Sequence, residues 1–145
     1  MSYYTKDNFD QIDSVGFSLN EARNVIMLDV DAALKNLNVK ARHIGILMSL
    51  FRGTAKTPGD ISRYLGLDSG LITKLLDSLE KQGLLARSRD GKDRRTVNLH
   101  LTEPGRAVAL RIAEIVPGVL NTRLRSFSAV EFDELCRLLG KLLGG

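Results

Sequence analysis

The side chains best placed to do chemistry in this chain are cations. Between Arg87 and Arg95 five basic residues (Arg87, Arg89, Lys92, Arg94 and Arg95) face only two acids, Asp90 and Asp93. Upstream, Ser69, Gly70, Thr73 and Lys74 set small polar and cationic groups close together, just after the acidic residue Asp68. That chemistry is polyanion binding: cations neutralise phosphates, and small side chains let a backbone approach. A well-solvated hairpin would carry the same charges, so charge alone leaves the two readings level. Catalysis finds less support. His43, His100 and Cys136 make three Cys and His residues, one short of a four-ligand zinc site of those types. There is no HExxH, no GxSxG and no phosphate-cradling loop, so no enzyme activity, metal or cofactor is expected.

The charge is unevenly spread over the 145 residues. The net charge is +4. From Lys40 to Arg106 thirteen Lys or Arg stand against seven Asp or Glu, whereas the remainder holds eight against ten. A basic middle between slightly acidic flanks suggests a binding module carried on a separate scaffold. At 43% hydrophobic and 26% charged residues the chain reads as globular, and it is long enough to bury a core without staples. A single cysteine excludes an intramolecular disulfide and fits a reducing compartment. Met1 to Asp7 lacks the basic-then-apolar order of a signal peptide, and the longest apolar run, Ile44 to Phe51, is broken by Gly45 and Ser49. A soluble, cytoplasmic protein without membrane contact is therefore expected.

The elements that must position these groups are mostly helical. Residues 1 to about 15 are polar and aperiodic and read as a flexible arm. Ser18 to Glu21 has capping-box spacing and opens a helix reaching about Leu37. A second helix covers roughly Lys40 to Arg52, stopped by Gly53. Thr57-Pro58-Gly59-Asp60 starts a short helix that Gly66 ends. Asp68 then caps another, whose Ile72, Leu75, Leu76 and Leu79 face inward. Two helices joined by a glycine-containing turn make a helix-turn-helix. From Leu84 the period changes to alternation, and residues 84–89 and 96–101 flank the turn-rich Asp90 to Asp93 as an antiparallel hairpin, a wing. Thr102 restarts a helix to about Arg125, with a kink expected at Pro117-Gly118, and Ser128 to Glu131 caps the last.

Asp68 to Glu80, Gly83-Leu84, Asp93-Arg94-Arg95, Val97 and Leu101-Thr102-Glu103-Pro104-Gly105 together resemble the MarR (multiple antibiotic resistance regulator) winged helix-turn-helix regulators. The resemblance runs over about residues 18–143 and is strongest from Asp60 to Gly105. It implies a mainly α fold with a small β wing. It also implies a homodimeric transcription factor, expected to be a repressor, on double-stranded DNA. Helical segments 1–38 and 103–145 would form the dimerisation region, and 39–102 the DNA-binding lobe. A small aromatic or phenolic effector would bind between the two and weaken DNA binding. The rival reading is a winged helix used for protein or membrane-surface contact, because folds do not fix functions.

On this reading Ser69, Gly70, Thr73 and Lys74 enter the major groove, with helix N-terminal amides offered to phosphate. Many relatives have arginine at the positions of Lys74 and Ser78. Lysine lacks the planar fork that grips guanine, so Lys74 is expected on a phosphate. Ser62 and Arg63 could touch the DNA backbone from the preceding helix. Lys92 and Arg94 would carry the wing contacts, and Asp93 with Arg95 would be a structural pair. Arg23 and His43 are candidates for the effector, against plain roles as a salt bridge and an interface histidine. His100 is expected on a solvated outer face, and Cys136 as a small packed apolar residue.

Overall fold

The computed structural model describes residues 1–89 and 95–145. Among these described residues, six α-helices and one two-stranded sheet follow in the order α1 (Val15–Ala33), α2 (Ala41–Arg52), α3 (Pro58–Leu65), α4 (Ser69–Lys81), β1 (Leu85–Ser88), β2 (Asn98–Leu101), α5 (Glu103–Leu124) and α6 (Ala129–Leu142). A single 3-10 turn over Lys35–Leu37 links α1 to α2. Among the described residues no helix is long and apolar enough to cross a membrane.

Local chemistry accounts for most boundaries. Thr57 and Asp60 form a reciprocal capping box at the start of α3, each satisfying the other's amide. Gly53 and Gly66 close α2 and α3 at φ +72° and +62°, where a side chain would be strained. Ser128 and Glu131 box the start of α6 in the same way as Thr57 and Asp60.

Helix α1 corrects the expected start. Its cap is Ser14, not Ser18: the Ser14 hydroxyl accepts from the Phe17 amide at 3.2 Å and donates to the Gln11 carbonyl. Ser18 is exposed one turn inside the helix, where its own amide bonds Ser14. The preceding arm also has local order, since the Tyr4 hydroxyl accepts from the Val15 amide and the Tyr4 and Phe9 rings meet edge to face. At the other end of the chain, α5 runs through Pro117 as one helix.

One buried apolar cluster joins all the parts that matter for the site. It gathers Val30 and Leu34 from α1 and its end, Ile46 and Leu47 from α2, Ile61 from α3, Ile112 from α5, Leu99 from β2 and the inner face of α4. The strands pair antiparallel with Leu85 opposite Leu101 and Arg87 opposite Leu99. The outer edge of β2 is tied down where the Leu99 amide donates to the Lys56 carbonyl at 2.8 Å. Helix α6 contributes no buried residue.

The seam between α4, the sheet and α5 is tight. Thr102 caps α5 through the Gly105 amide, and its hydroxyl also donates to the Gly83 carbonyl at 2.5 Å. A Cβ on Gly105 would lie 1.9 Å from the Leu84 carbonyl oxygen. That close approach explains the glycine three residues after Thr102.

Candidate nucleic-acid interface

Helix α4 has two faces with opposite fates. Ile72, Leu75, Leu76 and Leu79 are buried, while Ser69, Gly70, Thr73 and Lys74 are all exposed on the first two turns. These four residues are therefore exposed on a helix whose opposite face is buried.

Its hydrogen-bonding capacity is smaller than expected. The Asp68 carboxylate accepts from the amides of Gly70 at 2.9 Å and Leu71 at 3.2 Å, and its carbonyl takes the Ile72 amide. Those N-terminal amides are already paired within the chain and are not offered to a phosphate. The Thr73 hydroxyl donates back to the Ser69 carbonyl at 2.9 Å. A Cβ on Gly70 would meet the Asp68 carboxylate at 2.9 Å, so glycine here also leaves room for the cap.

The helix before it is similarly engaged. The Ser62 hydroxyl donates to the Leu67 carbonyl at 2.7 Å and locks the turn between α3 and α4. That is a structural role that sequence reading missed. Arg63 is exposed, though its guanidinium pairs with Asp60 at 2.7 Å. Two amides and the Arg63 charge hold the Asp60 carboxyl below its ordinary value, the Lys56 amide acting most strongly.

The strands carry a second surprise. Arg87, counted among the basic residues of the wing, turns back onto α4. Its guanidinium forks to Asp77 and Glu80, both at 2.8 Å. The bond to Asp77 does most to raise the Arg87 pKa further above its already high value. Arg87 is thus a strut between sheet and helix. His100 is exposed as expected, and its Nε2 lies 2.8 Å from the Ser88 hydroxyl across the sheet. Lys92, Asp93 and Arg94 lie outside the described residues, and so does the Asp93–Arg95 pairing; Arg95 itself is exposed.

The two effector candidates are not brought together. Arg23 is exposed on α1. His43 is buried, its Nδ1 accepting from the Lys40 amide at 3.0 Å, which places the ring proton on Nε2 without a protein partner. Burial, seconded by the Arg42 charge, lowers its pKa and keeps it neutral. It lines a cleft of about 500 Å³ with Asp31, Lys35, Lys40, Arg42, Ser78 and Gln82, and Arg23 is not in that wall. A second hollow, about 330 Å³, is walled by Ile44, Met48, Ile112, Ala113, Val116 and Pro117, with Arg52 as its one charge. No sequence signal marks it, because α2 and α5 meet only in the fold. Cys136 is exposed on α6, so it does not pack as expected. Among the described residues no cluster of His, Cys, Asp and Glu could hold a metal ion.

Comparison with known proteins agrees with this architecture. A sequence profile of the MarR family matches residues 37–96, the lobe from the end of the 3-10 turn to the wing. The HTH-type transcriptional regulator SarZ of Staphylococcus aureus is 38% identical over 80 residues, covering 46% of this chain and 54% of SarZ. The chain thus matches about half the length of that relative. The crystal structure of a cysteine-to-serine mutant of MarR from E. coli, complexed with operator DNA, superposes with a TM-score of 0.85 at 25% identity, over 94% of this chain and 99% of that one. The S. aureus MepR–DNA complex superposes at 0.83 over 90% and 97% of the two chains, with 20% identity, and supports the fold. The winged lobe is thus similar in sequence to the MarR family, and the chain as a whole has the fold of MarR-family winged helix-turn-helix structures.

Proposed function

We propose that this chain is a transcriptional regulator, a repressor that binds double-stranded operator DNA in the cytoplasm as a homodimer and is released by a small aromatic or phenolic anion. The observation that carries the reading is the outer face of α4. Its first two turns show mainly small or cationic side chains, on a helix whose opposite face is sealed into the core. A helix of that width fits the major groove of B-form DNA, which is about 12 Å across. Lys74 would sit on a phosphate and Ser69 and Thr73 beside it, with Arg63 reaching the adjoining backbone. Lys92 and Arg94 would extend the contact from the wing toward the minor groove, and an Asp93–Arg95 pair would hold the tip.

The homodimer is supported by the unpartnered apolar surface of the helical segments 1–38 and 103–145. Val130, Phe132, Leu138 and Leu142 of α6 and Leu19 of α1 are exposed in the single chain. Two copies joined there would present two α4 helices, and about 34–36 Å between them suits successive major grooves of a pseudo-palindrome.

For the effector, the hollow between α2 and α5 is better suited than a site built on Arg23 and His43. Apolar walls accept a ring, and the Arg52 guanidinium can pair with a carboxylate or phenolate. A ligand wedged there would push α5 away from α2, and the Thr102 and Gly105 seam would pass that shift to α4. By linkage, such a ligand must bind the DNA-free dimer more tightly than the bound one.

Binding to duplexes selected from a random pool, followed across salt concentrations, tests the DNA reading. Log affinity should fall linearly with log salt, and Lys74→Ala should make the slope shallower by about two for the dimer. Affinity that ignores salt, or no enrichment of any duplex, would overturn it.

A further inference from the structure

The surface of α4 also bears on sequence discrimination, in a way that rests on that DNA-binding reading and deepens it. From residue 29 to residue 109 the protein hides its large apolar side chains with two exceptions among the described residues, Tyr64 at 61% and Leu71 at 43% exposure. Both lie on the helix-turn-helix, one on each of its helices. Leu71 therefore departs from the rule its own lobe keeps, at the one place where a partner is expected to close over it.

Several polar groups around it are already engaged within the chain, and the hydroxyls that keep capacity, Ser69 among them, are single rotating groups without paired geometry. The Asp68 carboxylate is occupied by the Gly70 and Leu71 amides. Thr73 has given its hydroxyl proton to the Ser69 carbonyl, and the Ser78 hydroxyl receives the Gln82 side-chain amide at 3.4 Å. Lys74 brings charge without a fork. Such a helix attracts DNA well and distinguishes bases badly, unless something other than paired hydrogen bonds does the reading. Leu71 precedes Lys74 by three residues and Ser78 by seven, so the three share one stripe of the helix. In the major groove the one apolar feature that marks a base is the 5-methyl group of thymine.

We propose that Leu71 is a specificity-determining residue that seats against the 5-methyl group of one thymine in each half-site. Adenine–thymine preference at that position then comes from apolar burial, and Lys74 supplies affinity without discrimination.

Deoxyuridine, which pairs as thymine does but lacks the methyl, provides the test. The full-length protein is used to select its duplex, and each thymine of a half-site is then replaced singly by deoxyuridine. One replacement should lower wild-type affinity about fourfold, and its symmetric pair about fifteenfold, the effect of one or two buried methyl groups. Leu71→Ala, which alters an exposed side chain, should keep the thermal midpoint and the salt slope. It should bind thymine and deoxyuridine duplexes equally and select sites without a thymine preference there. Wild-type indifference to every deoxyuridine, or undiminished sensitivity in Leu71→Ala, would overturn this assignment alone. Failure of the wild type to enrich any duplex would overturn the DNA reading and this inference with it.

Discussion

The winged lobe and the terminal helices treat apolar surface in opposite ways. In the lobe, Ile61, Ile72, Leu76, Leu79, Leu85 and Leu99 are all buried within one chain. In α6 nothing is buried, and Val130, Phe132, Leu138 and Leu142 stand exposed. The lobe's core is closed within one chain, with Val30 of α1, Leu34 at its end and Ile112 of α5 helping to seal it, whereas α6 carries surface that burial against a second copy would repay at about 25 cal/mol per Å². One region buries its apolar side chains within the single chain and α6 leaves them exposed. If the proposed homodimer forms through α6, stability and assembly would reside largely in different residues.

The hardest blow to that contrast is a charge in α6. Phe132→Asp should convert the dimer to monomer in sedimentation and weaken DNA binding about a hundredfold or more, the loss expected when two linked sites become independent. The lobe's thermal unfolding should persist. A dimer that survives this change would show that α6 is not the assembly surface.

Next comes the seam where α5 meets the lobe. Gly105→Ala drives a methyl into the Leu84 carbonyl and should lower unfolding free energy by about 3 kcal/mol in a denaturant titration. Dimerisation would follow only through loss of fold. A near-neutral result would mean that α5 can slide on the lobe.

Arg87→Gln sharpens the contrast within the lobe itself. The Arg87 ion pairs are partly exposed, so stability should fall by no more than about 1 kcal/mol. DNA affinity should drop several-fold, because the strand leading to the wing loses its strut to α4. Equal effects on stability and binding would make Arg87 an ordinary surface pair.

The smallest effect is acid sensitivity. His43 has its folded pKa held below the unfolded value by burial, so a neutral His43 contributes stability above about pH 6.5. That contribution is lost as pH falls through the folded value. His43→Gln should flatten the decline of the thermal midpoint between neutral and mildly acidic pH. An unchanged pH profile would locate the sensitivity elsewhere.

The same division separates what could be read from the chain from what could not. Signals confined to one turn were legible: the Thr57–Asp60 box, the Asp68 cap and the glycine stops at 53 and 66 all appear where spacing places them. The inner face of α4 was legible for the same reason, since helical period and burial coincide. Ser18 was a decoy. It has the better acid three residues on, but Ser14 also finds the Gln11 carbonyl, and that second bond lies upstream of the motif. Arg87 was misread because its partners, seven and ten residues back, are reached only after the strand folds over the helix. Ser62 and the Gly70 and Leu71 amides were misread similarly: composition shows a donor, and only the fold shows that it is spent. The hollow beside Arg52 has no local signature at all.

The contact between Gly105 and the Leu84 backbone, reinforced by Thr102 gripping Gly83, makes a joint without slack. An arm of 22 residues, some 33 Å long at about 1.5 Å per residue, starts at that joint. On the proposed reading, a guest in the hollow at Ile112 to Pro117, part-way along this arm, would turn α4 through that joint and release the nucleic acid without touching it.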